Sequence, residues 1–178
     1  MFRKILFYGV IAGLIAGVPM AVTTISRNNE LGGLYAWGLG YLIMLIALTA
    51  VFIAVKRHRD VDRGGIIKFW PALGMGLGIS IVAGILYAAA WDIALAVSHW
   101  DFAGEYTKSM IAQRQAKGVS GAALAKFTAE MARFRTNYAN PFYRWPMTFA
   151  EIFPVGVLVS LISAGLLRNP RFLPIRRA

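Results

Sequence analysis

Four long apolar segments alternate with polar connections along this chain. The segments cover residues 5–25, 34–55, 71–97 and 145–167. Each is long enough to cross a bilayer as a helix, which takes about 20 residues. None contains a lysine or an arginine, and their only carboxylates are Asp92 and Glu151. The pattern predicts an all-α integral membrane protein with four transmembrane helices, and a soluble bundle of four buried helices is the alternative.

The connection between the third and fourth segments, residues 98–144, predicts two further helices. The first begins at Asp101, a favourable N-cap residue, and ends at Gly118. The second begins after Gly121 and places apolar residues three and four positions apart, as an amphipathic helix does. These residues are Leu124, Phe127, Met131, Phe134 and Tyr138. We expect one membrane domain over residues 1–178, whose two-helix amphipathic insertion lies on the membrane surface or covers the outer ends of the spans.

The distribution of charge predicts the topology. The 178 residues carry a formal net charge of +11, and basic residues in short loops mark the cytoplasmic side of a membrane. Bases concentrate near the N-terminus, in residues 56–68 and near the C-terminus, whereas the short first loop has only Arg27 and Glu30 as charged residues. We therefore predict that both termini are cytoplasmic. Because this sorting and contact with the lipid bilayer explain the basicity, no nucleic-acid binding is expected.

The sequence contains no recognisable catalytic or metal-binding motif. Cysteine is absent, and so are the HExxH, GxSxG and P-loop patterns. In the basic connection 56–65, the pair Asp60 and Asp62 could suggest a metal or phosphotransferase site, but a solvated run of charges is the preferred interpretation, with His58 solvated as well. We expect no catalytic residue, no metal and no cofactor.

Small residues recur at every fourth position on three of the predicted spans. Gly9, Gly13 and Gly17 form such a stripe on the first helix, and Gly84 and Gly156 belong to similar stripes on the third and fourth. A stripe of this kind lets another helix backbone approach closely. Packing inside the monomer is the simpler interpretation, and association of the first helix with another subunit is the alternative.

Glu151 is the sharpest functional clue, because an ionised acid in a span costs roughly 2.5–3.5 kcal/mol on insertion scales. Counting about 1.5 Å per residue from the inner boundary places Glu151 in the outer third of the bilayer, level with Tyr87 and below Asp92. The same count predicts a polar layer in the outer leaflet. Its members are Thr23, Thr24, Arg27, Tyr41, Tyr87, Trp91, Asp92, Arg144 and Glu151.

Several partners and roles are open for Glu151 within this layer. A tyrosine hydroxyl or the Trp91 indole could donate a hydrogen bond to it, and Arg27 or Arg144 could pair with either acid. The layer could be a structural tie that holds the bundle together. It could also be a hydrated pocket for a lipid, a small molecule or a cation, or part of a proton relay.

The segment Asn140–Gly156, which contains Glu-Ile-Phe-Pro-Val-Gly, resembles a bacterial membrane family known as domain of unknown function 4199. Other matching pieces are Tyr8-Gly-Val-Ile-Ala-Gly-Leu-Ile, Gly40-Tyr-Leu-Ile-Met-Leu, Arg63-Gly-Gly-Ile-Ile-Lys-Phe and Tyr87-Ala-Ala-Ala-Trp-Asp92. The resemblance covers essentially the whole chain. It implies a bacterial four-span protein with a helical insertion before the last span, and it implies no activity.

Together these features predict a non-enzymatic protein of the bacterial inner membrane. It would act through a membrane protein partner or as a homo-oligomer. The alternative is a small-solute, lipid or ion-binding or transport protein that uses the outer-leaflet pocket around Glu151.

Overall fold

The computed structural model describes residues 1–26 and 34–174, and it contains helices but no strands within these residues. The helices are α1 (Phe2–Ser26), α2 (Leu34–Arg57), α3 (Phe69–Ser98), α4 (Phe102–Ala116), α5 (Gly121–Tyr138) and α6 (Pro141–Leu167). A π-helical turn, His58–Asp62, continues α2. The four long helices α1, α2, α3 and α6 have the length and apolar composition of membrane spans. The predicted all-α class with four long apolar helices is therefore confirmed.

The glycine stripe of α1 packs against α3, which lies at the centre of the bundle between α1 and α6. A Cβ atom added to Gly13 would lie 2.7 Å from the Cβ atom of Leu86. Gly9 and Gly17 lie equally close to α3, one helical turn before and after Gly13. Since the contacts advance in step along both helices, α1 and α3 run parallel. The stripe thus faces a neighbour within the chain.

Small residues also form the contact between α3 and α6, which run antiparallel. Gly76 lies against Ser160, and Gly156 lies against Ser80. Each serine hydroxyl donates to a backbone carbonyl of its own helix, at 3.0 Å for Ser80 and 2.7 Å for Ser160. These polar groups are therefore satisfied without water, and the two backbones can approach closely. Further along the same contact, Gly84 packs under the ring of Phe149.

The π-helical turn binds the C-terminal segment to the end of the bundle where α1 begins and α6 ends. Arg59 is fully buried, and its two terminal nitrogens donate to the carbonyl oxygens of Phe172 and Leu173 at 2.9 and 2.7 Å. Its Nε donates to Asp60 at 2.6 Å. The expectation of a solvated run of charges is wrong here, because the turn directs these side chains inward against the end of the chain.

The second acid of the turn joins α1 to α2. His58 is only 5% exposed, and its Nδ1 lies 2.5 Å from an Asp62 carboxylate oxygen that also accepts from Lys4 at 2.5 Å. The expectation that His58 is solvated is therefore wrong. The contacts of Asp62 with His58 and Lys4 form because the helix continues beyond the apolar segment of α2 into the π-helical turn. The charge pattern alone did not predict that continuation.

Two helices precede the fourth span, as the sequence predicts. The Asp101 carboxylate accepts from the backbone N–H of Gly104 at 2.9 Å and caps α4. In α5, every residue is exposed except the five predicted apolar positions, of which Tyr138 is buried. Asn140 caps α6 through Phe142 N–H at 3.0 Å. The fourth long helix therefore begins at Pro141, one turn before the predicted apolar segment.

Candidate functional site

Six aromatic side chains connect α3, α4 and α5 at the end of the bundle opposite the N-terminus. This aromatic cluster consists of Trp91, Trp100, Phe102, Tyr106, Phe134 and Tyr138. The rings of Trp91 and Phe102 meet edge to face, with centroids 5.1 Å apart, a favourable geometry for aromatic pairs. The cluster fixes α4 and α5 over the end of α3.

Tyr138 is the buried polar member of the aromatic cluster. Its hydroxyl accepts a hydrogen bond from the Trp91 indole at 2.8 Å. Burial raises the pKa of Tyr138 to about 12, so the hydroxyl stays protonated at neutral pH. Sequence analysis placed Tyr138 only on the apolar face of α5 and missed this role. Because the indole of Trp91 is directed to Tyr138, it is not the partner of Glu151.

Asp92 joins the last turns of α3 to the first turns of α6. Its two carboxylate oxygens accept from Arg144 Nε at 2.6 Å and from Trp145 Nε1 at 2.5 Å. Arg144 also donates to the backbone carbonyl of Tyr138 at 3.1 Å, and its guanidinium lies 5.6 Å from the centre of that ring. Both charges are thus neutralised inside the chain, which makes this acid a structural tie.

Glu151 has a different environment, since its side chain is exposed on the surface of α6. Its carboxylate lies near the hydroxyl of Tyr87, a side chain that is 7% exposed. Tyr41 of α2 lies in the vicinity of Tyr87 and is 47% exposed. Within the described residues no arginine or lysine pairs with Glu151. Among the residues that the structure describes, the second acid of the spans is therefore unmatched by positive charge.

Among the described residues, Thr23 and Thr24 of the predicted polar layer do not join either acid. Thr24 donates its hydroxyl to the carbonyl of Met20 at 2.8 Å, and Thr23 donates to the same carbonyl at 2.9 Å. Arg27 falls outside the described residues. The layer consequently divides into two groups, one around Asp92 and the other around Glu151.

A pocket of about 240 Å³ lies beside the Asp92 group, under α4 and α5. Asp101, Arg135 and Arg144 supply the charges of its lining. Arg135 is paired with Asp101, and Arg144 with Asp92. Because these charges already have partners, a charged ligand would have to break an ion pair to enter.

A family model described as "Protein of unknown function (DUF4199)" matches residues 7–169. The chain belongs to this family. The comparisons with curated proteins and with solved structures found no match. The DUF4199 match covers nearly all of α1 and the whole of the five later helices, so it includes both acids and their neighbours.

The two acids of this DUF4199 protein differ in the groups around them. In residues 1–26 and 34–174, no group of three or more His, Asp or Glu side chains is arranged to hold a metal ion. The oxygen atoms at Glu151 come from its own carboxylate and from the hydroxyl of Tyr87. This group can accept hydrogen bonds or contact a cation, and Glu151 is the member that reaches the surface.

Proposed function

We propose that this chain is a non-enzymatic protein of the bacterial inner membrane that works by binding another membrane protein or a second copy of itself. The binding surface is the outer-leaflet face around Glu151. The exposed carboxylate of Glu151 supports this proposal, because lipid would otherwise surround it at a cost of roughly 2.5–3.5 kcal/mol. A partner helix that donates hydrogen bonds would offset that cost.

The surroundings of Glu151 suit a helix partner. Pro154 has no backbone N–H, so the carbonyl of Ala150 lacks its usual helical donor. That carbonyl is a second acceptor beside the acid. Leu158, two turns further along α6, is 55% exposed and provides an apolar surface. The polar groups of a helix packed here would donate hydrogen bonds to both acceptors, and its apolar side chains would contact Leu158.

Crosslinking at Leu158 tests this proposal. The chain has no cysteine, so a maleimide photocrosslinker on Leu158→Cys reports from one position. In native membranes we expect a protein adduct that Glu151→Leu reduces roughly 3- to 30-fold, since interhelical hydrogen bonds contribute about 0.6–2 kcal/mol. The mass of the adduct distinguishes a second copy from another protein.

Leu14→Cys is the matched control for this experiment, because Leu14 is 51% exposed on α1 at a similar depth. It should give no protein adduct. Equal adducts at the two positions, or adducts with lipid alone at Leu158→Cys, would contradict the proposal.

We also propose that both termini face the cytoplasm and that α4 and α5 form an amphipathic cover on the outer side. The contacts of Lys4 with Asp62 and of Arg59 with Leu173 support this, because they gather the basic segments at one end of the bundle. In spheroplasts, a membrane-impermeant maleimide should label Lys117→Cys at once. Arg63→Cys should be labelled only after permeabilisation. Immediate labelling of Arg63→Cys would invert the topology.

One observation favours a second function, binding of a small solute, a lipid or an ion at Glu151. The carboxylate of Glu151 and the hydroxyl of Tyr87 offer oxygen atoms, the ligands that hard cations prefer. If this is the role, calorimetry on the protein in nanodiscs should detect cation binding that Glu151→Gln abolishes. Crosslinking at Leu158→Cys would then be independent of Glu151.

A further inference from the structure

An open groove of about 660 Å³ lies at the inner end of the bundle, between the first turns of α1 and the end of α2. Its volume falls in the range of about 300–1,000 Å³ that is typical of ligand-binding clefts. Three bases contribute to its lining, Arg3, Lys4 and Arg57, together with apolar side chains that include Phe7 and Val61. The groove thus combines positive charge with apolar walls.

Two of these bases have no partner in the described part of the chain. Lys4 is held by Asp62 at 2.5 Å. Arg3 and Arg57 are exposed and form no ion pair with any described acid. Their positive charge is therefore available to an anion.

The walls of the groove extend this site toward the acyl region of the bilayer. Phe7 is 61% exposed, one turn further into the span than Arg3. A free anion would leave this ring uncovered, whereas an acyl chain attached to the anion would cover it. Positive-inside sorting accounts for the number of bases at this end. It does not require two arginines from different helices to line one groove beside an exposed aromatic ring.

We propose that this groove binds an anionic phospholipid. Arg3 and Arg57 contact the headgroup phosphate, and Phe7 contacts an acyl chain. Basic pockets between spans at the cytoplasmic side are suited to anionic headgroups, and the arginine guanidinium matches phosphate geometry with paired donors. The site lies at the opposite end of the bundle from Glu151 and is independent of the association proposed there.

Native mass spectrometry of the detergent-solubilised full chain tests this proposal, with phosphatidylglycerol and phosphatidylcholine as probes. We expect phosphatidylglycerol to bind at least tenfold more tightly. Arg3→Gln combined with Arg57→Gln should weaken its binding about 30-fold, since each basic residue near a headgroup contributes about 1 kcal/mol. The matched control is Arg168→Gln combined with Arg171→Gln, which removes the same charge from exposed positions at the same end but outside the groove. It should retain the binding within about threefold.

Two further measurements separate a lipid site from a site for a free anion. Phe7→Ala removes no charge and should weaken phosphatidylglycerol binding several-fold. Millimolar inorganic phosphate should fail to displace the lipid. Complete displacement by phosphate would overturn the proposal, and so would equal binding of the two lipids. An equal loss of binding in the two double variants would also overturn it, because only general surface charge would then be acting.

Discussion

Replacing Gly13 with leucine is expected to prevent α1 from packing on α3 and to remove most of the folded protein. A Cβ atom at this position would lie 2.7 Å from the Cβ of Leu86 and 3.2 Å from the carbonyl oxygen of Ala83. Both atoms belong to α3. One is a backbone oxygen and the other is bonded directly to the backbone, so side-chain rotation cannot move either of them away. Overpacking of this kind costs typically about 1–3 kcal/mol, and leucine adds three carbons beyond Cβ. Size-exclusion chromatography in detergent and thermal unfolding followed by circular dichroism would measure the loss.

Gly74→Leu is the matched control, since no atom outside its own helix lies within 4 Å of a Cβ added at Gly74. It makes the same chemical change in a neighbouring span and should leave the melting temperature nearly unchanged. If Gly13→Leu unfolds no more easily than this control but loses an oligomer, the stripe on α1 serves subunit association instead.

The two glycines show how far spacing predicts helix packing. Gly74 and Gly78 repeat the interval of four residues seen at Gly9 and Gly13. Yet Gly74 faces open space, while a Cβ atom on Gly78 would lie 3.1 Å from the side chain of Ile5. Spacing identifies a face that can accept a close neighbour. Which helix fills it depends on how all four spans are arranged, and local sequence does not contain that information.

The same distinction explains the outcome for the polar layer. Helical rise is constant, so counting residues predicted that Glu151 lies level with Tyr87, and the two side chains lie near each other. Rotation about the helix axis is not fixed by that count. The residue count therefore could not predict that Glu151 is exposed. Nor could it predict that Thr23 and Thr24 donate to their own backbone, a common alternative for hydroxyl side chains in helices. The exposure of Glu151 is what makes it a candidate for association.

The second large effect is expected from Arg59→Ala, at the inner end. The substitution leaves the carbonyls of Phe172 and Leu173 without their side-chain donor, and it leaves Asp60 with only Lys56 as its partner. A hydrogen bond that involves a charged group contributes about 1.5–3 kcal/mol, and Arg59 makes three of them. We therefore expect the C-terminal segment to detach and the melting temperature to fall. Detachment would appear as faster trypsin cleavage after Arg171, measured by mass spectrometry on the protein in detergent.

Two variants show whether the geometry of Arg59 or only its charge holds the segment. Arg59→Lys keeps the charge, but a single ammonium cannot reach a carboxylate and two carbonyls in the positions that the planar guanidinium satisfies. Cleavage should therefore remain faster than in the parent chain. Arg63→Ala removes an exposed base just after the turn and should leave the cleavage rate unchanged. If Arg59→Lys protects the segment fully, charge alone is sufficient. If Arg59→Ala also protects it, the two carbonyl contacts do not hold the C-terminal segment. The inner end would then be held by the Lys4–Asp62 contact between α1 and the π-helical turn.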